Sequence, residues 1–342
     1  MAFTTINKSS VQFNTKLYSG DGSSSQPQTG VGFQPDWVWL KSRNTTDTHA
    51  LIDSVRGATK FIRSNASNAE GTDTAGLISF DTDGFTVGNS GPYGANSQNY
   101  VAWNWKAGTT SGLSGGTITP TGYSINATSG FGIYKYTGNG TSGATIAHGL
   151  GKAPKMILVK RLDSSPEWQI YHTRMGNGKW IEWTTGTPQT GTSRWNDTSP
   201  TNTLFYLGND SDVNYNGGNY IAYVFADIRG FSKFGYYYGN NNALGPVIYT
   251  GFKPALVMIK RISGNDRWVI VDNKRDIDNP VRQEINPNAT TAESAADSFD
   301  FLSNGFKLRR TGNVFNGGSE EYIYMAFGQT LVGSNNIPAT AR

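Results

Sequence analysis

The stretch YTGFKPALVMIKR, residues 249–261, decides how the chain is read. A proline, Pro254, stands six residues before Lys260, and the residues between them are apolar. Near-copies occur as GVGFQPDWVWLKSR, residues 30–43, and HGLGKAPKMILVKR, residues 148–161, with Pro35 before Lys41 and Pro154 before Lys160. Alone, the lysine and arginine would suit a phosphate or carboxylate site. Repeated at a fixed offset, the segment reads as an inner strand: proline ends the incoming loop, the apolar run packs, and the lysine marks where the strand leaves the core.

The offsets extend outward from the prolines. Upstream lie Tyr18 and Gly20, Tyr136 and Gly138, and Tyr237 and Gly239, each closing an apolar stretch in a glycine-rich or asparagine-rich turn. Downstream, Trp168 and Trp268 match His49, and Asp53, His172 and Asp272 share the next position, followed by Arg56, Arg174 and Arg275. Phe85, Phe205 and Phe306 come later, as the last residues of DTDGF, NTLF and LSNGF. Tyrosine-led segments then close each copy: YVAWNWK from Tyr100, YIAYVFA from Tyr220 and YIYMAFG from Tyr322.

This pattern predicts a mostly-β protein of three repeated antiparallel β-sandwich, jelly-roll-like domains. The expected boundaries are 1–107 for the first repeat, 108–129 for a Gly/Ser/Thr-rich linker, 130–229 and 230–330 for the second and third repeats, and 331–342 for a C-terminal tail. The third repeat follows the second without a spacer, so these two are expected to form a rigid pair with the first more mobile. The best helical segment is TAESAADSFDFL, residues 291–302, dense in alanine and glutamate.

Composition excludes several classes. With 42 glycines and only 16% charged residues, short strands and tight turns are favoured over long helices. Cysteine is absent, which removes disulfides, thiolate metal sites and cysteine nucleophiles. The net charge of +4 is not clustered, so nucleic acid is not an expected partner. No apolar run approaches the roughly 18 residues of a spanning helix, and MAFTTINKSSVQFN lacks the apolar core of a signal peptide; folding in a cytoplasm without membrane insertion is expected.

Long segments carry a resemblance. GFSKFGYYYGNNNALGPVIYTGFKPALVMIKR, DFLSNGFKLR, YIYMAFG, ATIAHGLGKAPKMILVKR and NYIAYVFADIRGFSKFG resemble a domain of unknown function that recurs in virion structural proteins of marine tailed bacteriophages, including those of cyanobacteria. DSVRGATK, DGFTVG and NYVAWNWKAG resemble its amino-terminal member. The likeness runs from about Leu17 to Phe327. It implies a non-enzymatic tail-fibre or other particle-surface protein, made in the host cytoplasm, released by lysis and located on the virion. It brings no catalytic motif.

Candidate chemistry is sparse. His49, His148 and His172 lack Ser-His-Asp or HExxH spacing, and copies replace them with other residues, so they are read as structural. DTDGF, Asp81 to Phe85, has the alternate carboxylates of a calcium loop, but LSNGF keeps only the turn, and no bidentate glutamate follows. Asp53 and Asp272 occupy matching positions in different copies, which suits a polar pair ordering a turn better than the two acids of a glycosidase. No metal and no cofactor is expected. Tyr100, Tyr220 and Tyr322 join the three prolines and three lysines as structural anchors. Trp180, Trp183 and Trp195 lie in a polar, loop-like segment without counterparts in the other copies, and are the expected glycan or partner contact.

The expected function is a tail fibre or appendage that contacts host surface glycans and other virion proteins, with a homotrimer as the simplest assembly. A capsid decoration protein is the alternative reading, and a polysaccharide-degrading tailspike the third.

Overall fold

The computed structural model describes residues 4–184 and 186–330; the expected tail, 331–342, lies outside the described residues. Turns rich in glycine and asparagine cut the chain into short antiparallel strands, giving the mostly-β, sandwich-like architecture that the spacing predicts.

Three sheets share one strand order. Each has an entry strand (Phe13–Ser19, Phe131–Thr137, Ser232–Tyr238), a lysine strand (Trp37–Ser42, Met156–Arg161, Phe252–Arg261), a short strand (Ala50–Asp53, Gln169–His172, Val269–Asp272) and a closing strand (Asn99–Trp105, Asn219–Phe225, Glu321–Thr330). The order across each sheet is entry, closing, lysine, short. Register agrees residue by residue: Tyr18 opposes Tyr100, Tyr136 opposes Tyr220, and Tyr237 opposes Tyr322. Likewise Trp37 opposes Asp53, Met156 opposes His172, and Leu256 opposes Asp272.

The lysine strands read as continuous apolar runs because both of their faces are covered. Val38 and Leu40 meet Phe85 and Val87 in an outer core under the strands Gln26–Thr29, Gly84–Val87 and Leu77–Asp81. Ile157 and Val159 do the same with Phe205 and Leu207, and Val257 and Ile259 with Phe299 and Phe306. The alternate residues, Trp37 and Trp39, Met156 and Leu158, Leu256 and Met258, all enter one shared core. Trp105, Phe225 and Phe327, at equal positions on the closing strands, belong to it, with Phe327 5.8 Å from Trp105 and 6.0 Å from Phe225 between ring centroids. The three sheets therefore close inward on each other.

This closure corrects the expectation of a mobile first unit. Trp37 of the first sheet stacks on Tyr223 of the second at 4.4 Å, and Phe13 stacks on Phe327 of the third at 5.2 Å. Segment 108–129 is likewise built into the fold, because Gly122–Asn126 pairs with Phe131–Thr137 as a fifth strand of the second sheet. Residues 291–302 are not helical. Ser294–Leu302 forms a hairpin with Gly305–Leu308, and Phe299 and Phe301 alternate into the outer core, so period-two burial overrides local helix propensity.

The Tyr-x-Gly motif is a clamp. In each sheet the two opposed tyrosines stack, with centroids 5.0, 5.0 and 4.8 Å apart. Their hydroxyls donate to carbonyls of the short turn before the closing strand: Tyr18 to Tyr93 and Tyr100 to Gly91, Tyr136 to Val213 and Tyr220 to Ser211, Tyr237 to Phe315 and Tyr322 to Asn313. The glycine lies against the same turn. A Cβ on Gly20, Gly138 or Gly239 would stand 2.2, 2.4 or 2.2 Å from a backbone oxygen there.

Candidate functional site

Pro35, Pro154 and Pro254 are buried at the starts of their runs. The lysines depart from expectation, because they do not reach solvent. Lys41, Lys160 and Lys260 are fully buried, and each ammonium donates to carbonyls of the turn that follows its strand: Ser42 and Thr45, Arg161 and Pro166, Gly264 and Asp266. Burial lowers each lysine pKa to about 8. They are internal caps, holding a turn that has no strand partner for its carbonyls.

Where the sheets meet, the Asp/His position forms a cycle of seams. At the first seam, Asp53 is bound by Arg56 at 2.5 Å and accepts a hydrogen bond from Tyr223 of the second closing strand at 2.7 Å. At the seam from third to first, Asp272 is bound by Arg275 at 2.6 Å and accepts from Trp103 of the first closing strand at 3.0 Å. At the same position of the seam from second to third the acid, base and donor are absent. His172 and Met175 stand where the other seams have Asp and Arg, and Met325 holds the register position of Tyr223 and Trp103. Burial drives the His172 pKa down to about 3, against a smaller upward pull from the backbone of Tyr324 in the third sheet.

A second set of bonds closes a full ring and runs the same way, each donor on one unit reaching an acceptor on its neighbour. Trp168 donates to the carbonyl of Arg63, Trp268 to that of Glu182, and His49 to that of Asn286. Each acceptor follows the isoleucine that bridges to its own short strand, Ile62, Ile181 or Ile285. The tautomer of His49 is set by Trp39, whose Nε1 donates to Nδ1 at 2.9 Å, leaving the proton on Nε2. Burial pushes the His49 pKa down to about 3.

The tryptophan surface expected from the sequence is not a surface. Trp183 is 1% exposed and packs on Trp268 in the shared core, and Trp195 is 2% exposed against Tyr171. Trp180 is half-buried beneath the guanidinium of Arg194, which Asp210 and Asp212 hold. Trp183 thus joins the core shared by the three sheets, while Trp195 joins the outer core of the second and Trp180 packs against that core. Asp81 bonds Ser79 and Thr86, and Asp83 bonds the amides of Gly30 and Gly32, so the DTDGF carboxylates organise their turn. Among the described residues no group of three or more His, Cys, Asp or Glu is placed to hold a metal ion.

The shift of one position that puts Met175 in the seam sends Arg174 outward. Its guanidinium binds Glu321, donates to the hydroxyl of Tyr238 at 2.7 Å, and lies 3.9 Å from the ring centre of Tyr236. Tyr236 and Tyr238 are 47% and 52% exposed, with ring centroids 6.1 Å apart. The run Tyr236-Tyr237-Tyr238 carries the signal for this site: in a strand the middle ring turns to one face and its neighbours to the other. Leu17 and Ser19, and Lys135 and Thr137, hold the matching positions elsewhere. The result is an aromatic ledge beside a fixed cation, found in the third sheet alone of the three. An open groove of about 590 Å³ lies elsewhere, between the first sheet and the linker. Its buried acid, Asp36, is engaged by Ser54, Ser124 and the amide of Ala107.

A family model, Domain of unknown function (DUF7483), matches residues 8–330, spanning all three sheets. The chain belongs to the DUF7483 family. No curated protein and no solved structure matches the chain. The DUF7483 match takes in every residue of the seams, the clamps and the Tyr236–Tyr238 ledge as one unit. No helix among the described residues is long and apolar enough to cross a membrane.

Proposed function

We propose that this chain is a non-enzymatic structural protein of a tailed bacteriophage particle, exposed on a tail fibre or appendage, and that it contacts host surface glycans through Tyr236, Tyr238 and Arg174. In this reading the chain is three copies of one unit closed about a pseudo-threefold axis. The shared strand order, the matching registers, the two bonds at the Asp seams and the ring of three other inter-sheet bonds support that reading.

The observation that carries the contact is the ledge. Exposed rings beside a guanidinium offer an apolar face and directed donors, which is what a pyranose or an acidic sugar requires. Arg174 needs little ordering on binding, since Glu321 and Tyr238 already hold it. By contrast, His49, His172, Asp53 and Asp272 are buried and engaged in the frame.

A glycan array probed with the full chain tests the contact, with Tyr236→Ala/Tyr238→Ala as the comparison. Binding that survives this double substitution would sink the ledge, and absence of binding to any host glycan would sink the glycan reading. Pseudo-threefold closure also favours a second reading, a decoration protein seated on a threefold position of the head. Gold labelling of intact particles separates the two, since label over the capsid contradicts the tail assignment.

A further inference from the structure

The strand Val247–Tyr249 is the edge of its outer sheet, and its matches in the other thirds of the chain reveal what such an edge needs. Its counterparts are identified by register, because Gln28 opposes Phe85, Ile146 opposes Phe205, and Ile248 opposes Phe306. The first counterpart, Gln26–Thr29, carries Pro27, a residue that blunts edge pairing. The second, Ala144–Ala147, is covered by the chain itself. Thr117 and Ile118 donate backbone N–H bonds to the carbonyl of Thr145 at 2.9 Å each, and the Thr117 hydroxyl accepts from the Thr145 amide at 2.8 Å. Gly116 and Ile118 both bridge to Ile146, and Ile118 is buried in the outer core.

The third edge has neither device within the strand: Pro246 precedes it, its carbonyl accepting from the amide of Leu308, and Val247, Ile248 and Tyr249 all keep an amide. Among the described residues its one strand neighbour is Gly305–Leu308. Val247 stands at the position of Thr145, and it is 60% exposed, with Tyr249 at 67% and Leu244 at 75%. No charged residue occurs between Lys233 and Lys253, so the charged side chains that usually guard an edge are missing as well. An apolar, unguarded edge is costly to leave in water and is prone to pairing.

We propose that Val247–Tyr249 is a strand-addition site for an extended segment of a partner polypeptide, seated as Gly116–Ile118 is seated on the second unit. The occupant is a weakly charged segment that pairs its backbone with Val247 and lays an aliphatic side chain over Ile248, as Ile118 lies over Ile146. In the internal example the backbone bonds all centre on Thr145, and Val247 offers the same carbonyl and amide, without the hydroxyl to which the Thr117 amide also donates. This site is separate from the ledge and does not depend on glycan binding.

The test uses the full chain and a fluorescent peptide copying residues 111–120, SGLSGGTITP, as the probe. Saturable binding is expected, weakened at least about tenfold in Val247→Lys/Tyr249→Lys, whose altered side chains are exposed and whose melting temperature should be unchanged. Slowed amide exchange at Val247 and Tyr249 on adding the peptide would support the placement. Absence of binding, or binding that the two lysines leave intact, overturns the proposal. Concentration-dependent self-association abolished by the same variant also overturns it, by making a second copy the occupant.

Discussion

Tyr223 donates its phenolic hydrogen to Asp53 across the seam between the first two sheets, at 2.7 Å, while its ring stacks on Trp37 at 4.4 Å. One side chain thus joins the shared apolar core to the buried Asp53–Arg56 pair. Substituting Tyr223→Phe keeps the ring and removes the hydrogen bond to a charged acceptor, a loss of about 1.5–3 kcal/mol. Asp53→Asn should cost more, roughly 3–5 kcal/mol, because it leaves the buried Arg56 guanidinium only the longer pairing with Glu70 at 3.4 Å. Urea unfolding of both variants measures the order. Equal costs would mean that the pair contributes nothing beyond the tyrosine bond.

The seam from second to third suggests an exchange. His172, Met175 and Met325 replace an acid, a base and a donor as a set, so converting one seam into the other should succeed only as a set. Asp53→His alone removes the close partner of Arg56, leaving only Glu70 at 3.4 Å, and is expected to cost about 3–5 kcal/mol. Asp53→His with Arg56→Met and Tyr223→Met should cost less than the sum of its single substitutions by at least about 1 kcal/mol, since neighbours in one network couple. Strict additivity in a full mutant cycle would show that the three positions are independent.

Much of this frame was legible in spacing. The offsets from Pro35, Pro154 and Pro254 correspond to actual registers, because a strand pair fixes which residues face each other. The burial of the lysines was not legible, since the carbonyls that receive them come from turns whose path is set only by folding. Arg174 was aligned with Arg56 and Arg275, yet it sits one residue earlier in its turn and faces outward. Trp183 and Trp195 looked like surface because their copies lack them. A residue unique to one unit fills a unique gap as readily as it meets a partner. The shared core left no mark of its own: apolar alternate residues on the inner faces are equally compatible with three beads or one closed assembly.

The glycine of Tyr-x-Gly gives a prediction that depends on distance alone. Gly239→Ala places a methyl 2.2 Å from the carbonyl oxygen of Gly317, and the neighbouring clamp of Tyr237 and Tyr322 leaves the turn little room to withdraw. A cost of about 1–3 kcal/mol is expected. Gly318→Ala is the control, since its added methyl meets the Asn241 side chain at 3.5 Å, an ordinary contact. Thermal melts of the two variants should differ by several degrees. A Gly239→Ala protein that melts with the wild type would show that the turn yields.

Acid should loosen the assembly at its seams. His49 and His172 are held by burial to pKa values of about 3, against 6.5 for the free side chain. As pH falls below 6.5 the unfolded chain takes up a proton at each site, while the folded chain does not until about pH 3. The unfolded state binds more protons across that window, so stability falls with pH. The slope contributed by each histidine is about 1.4 kcal/mol per pH unit. Replacing His172 with Asn leaves an acceptor for the amide of Arg174 and removes the titrating group. Urea midpoints between pH 7.5 and pH 5 should therefore drop less steeply in His172→Asn than in the wild type, by one histidine's share, with the carboxylate contribution common to both. Parallel slopes would mean that His172 accepts its proton in the folded protein, and that the seam beside Met325 admits water.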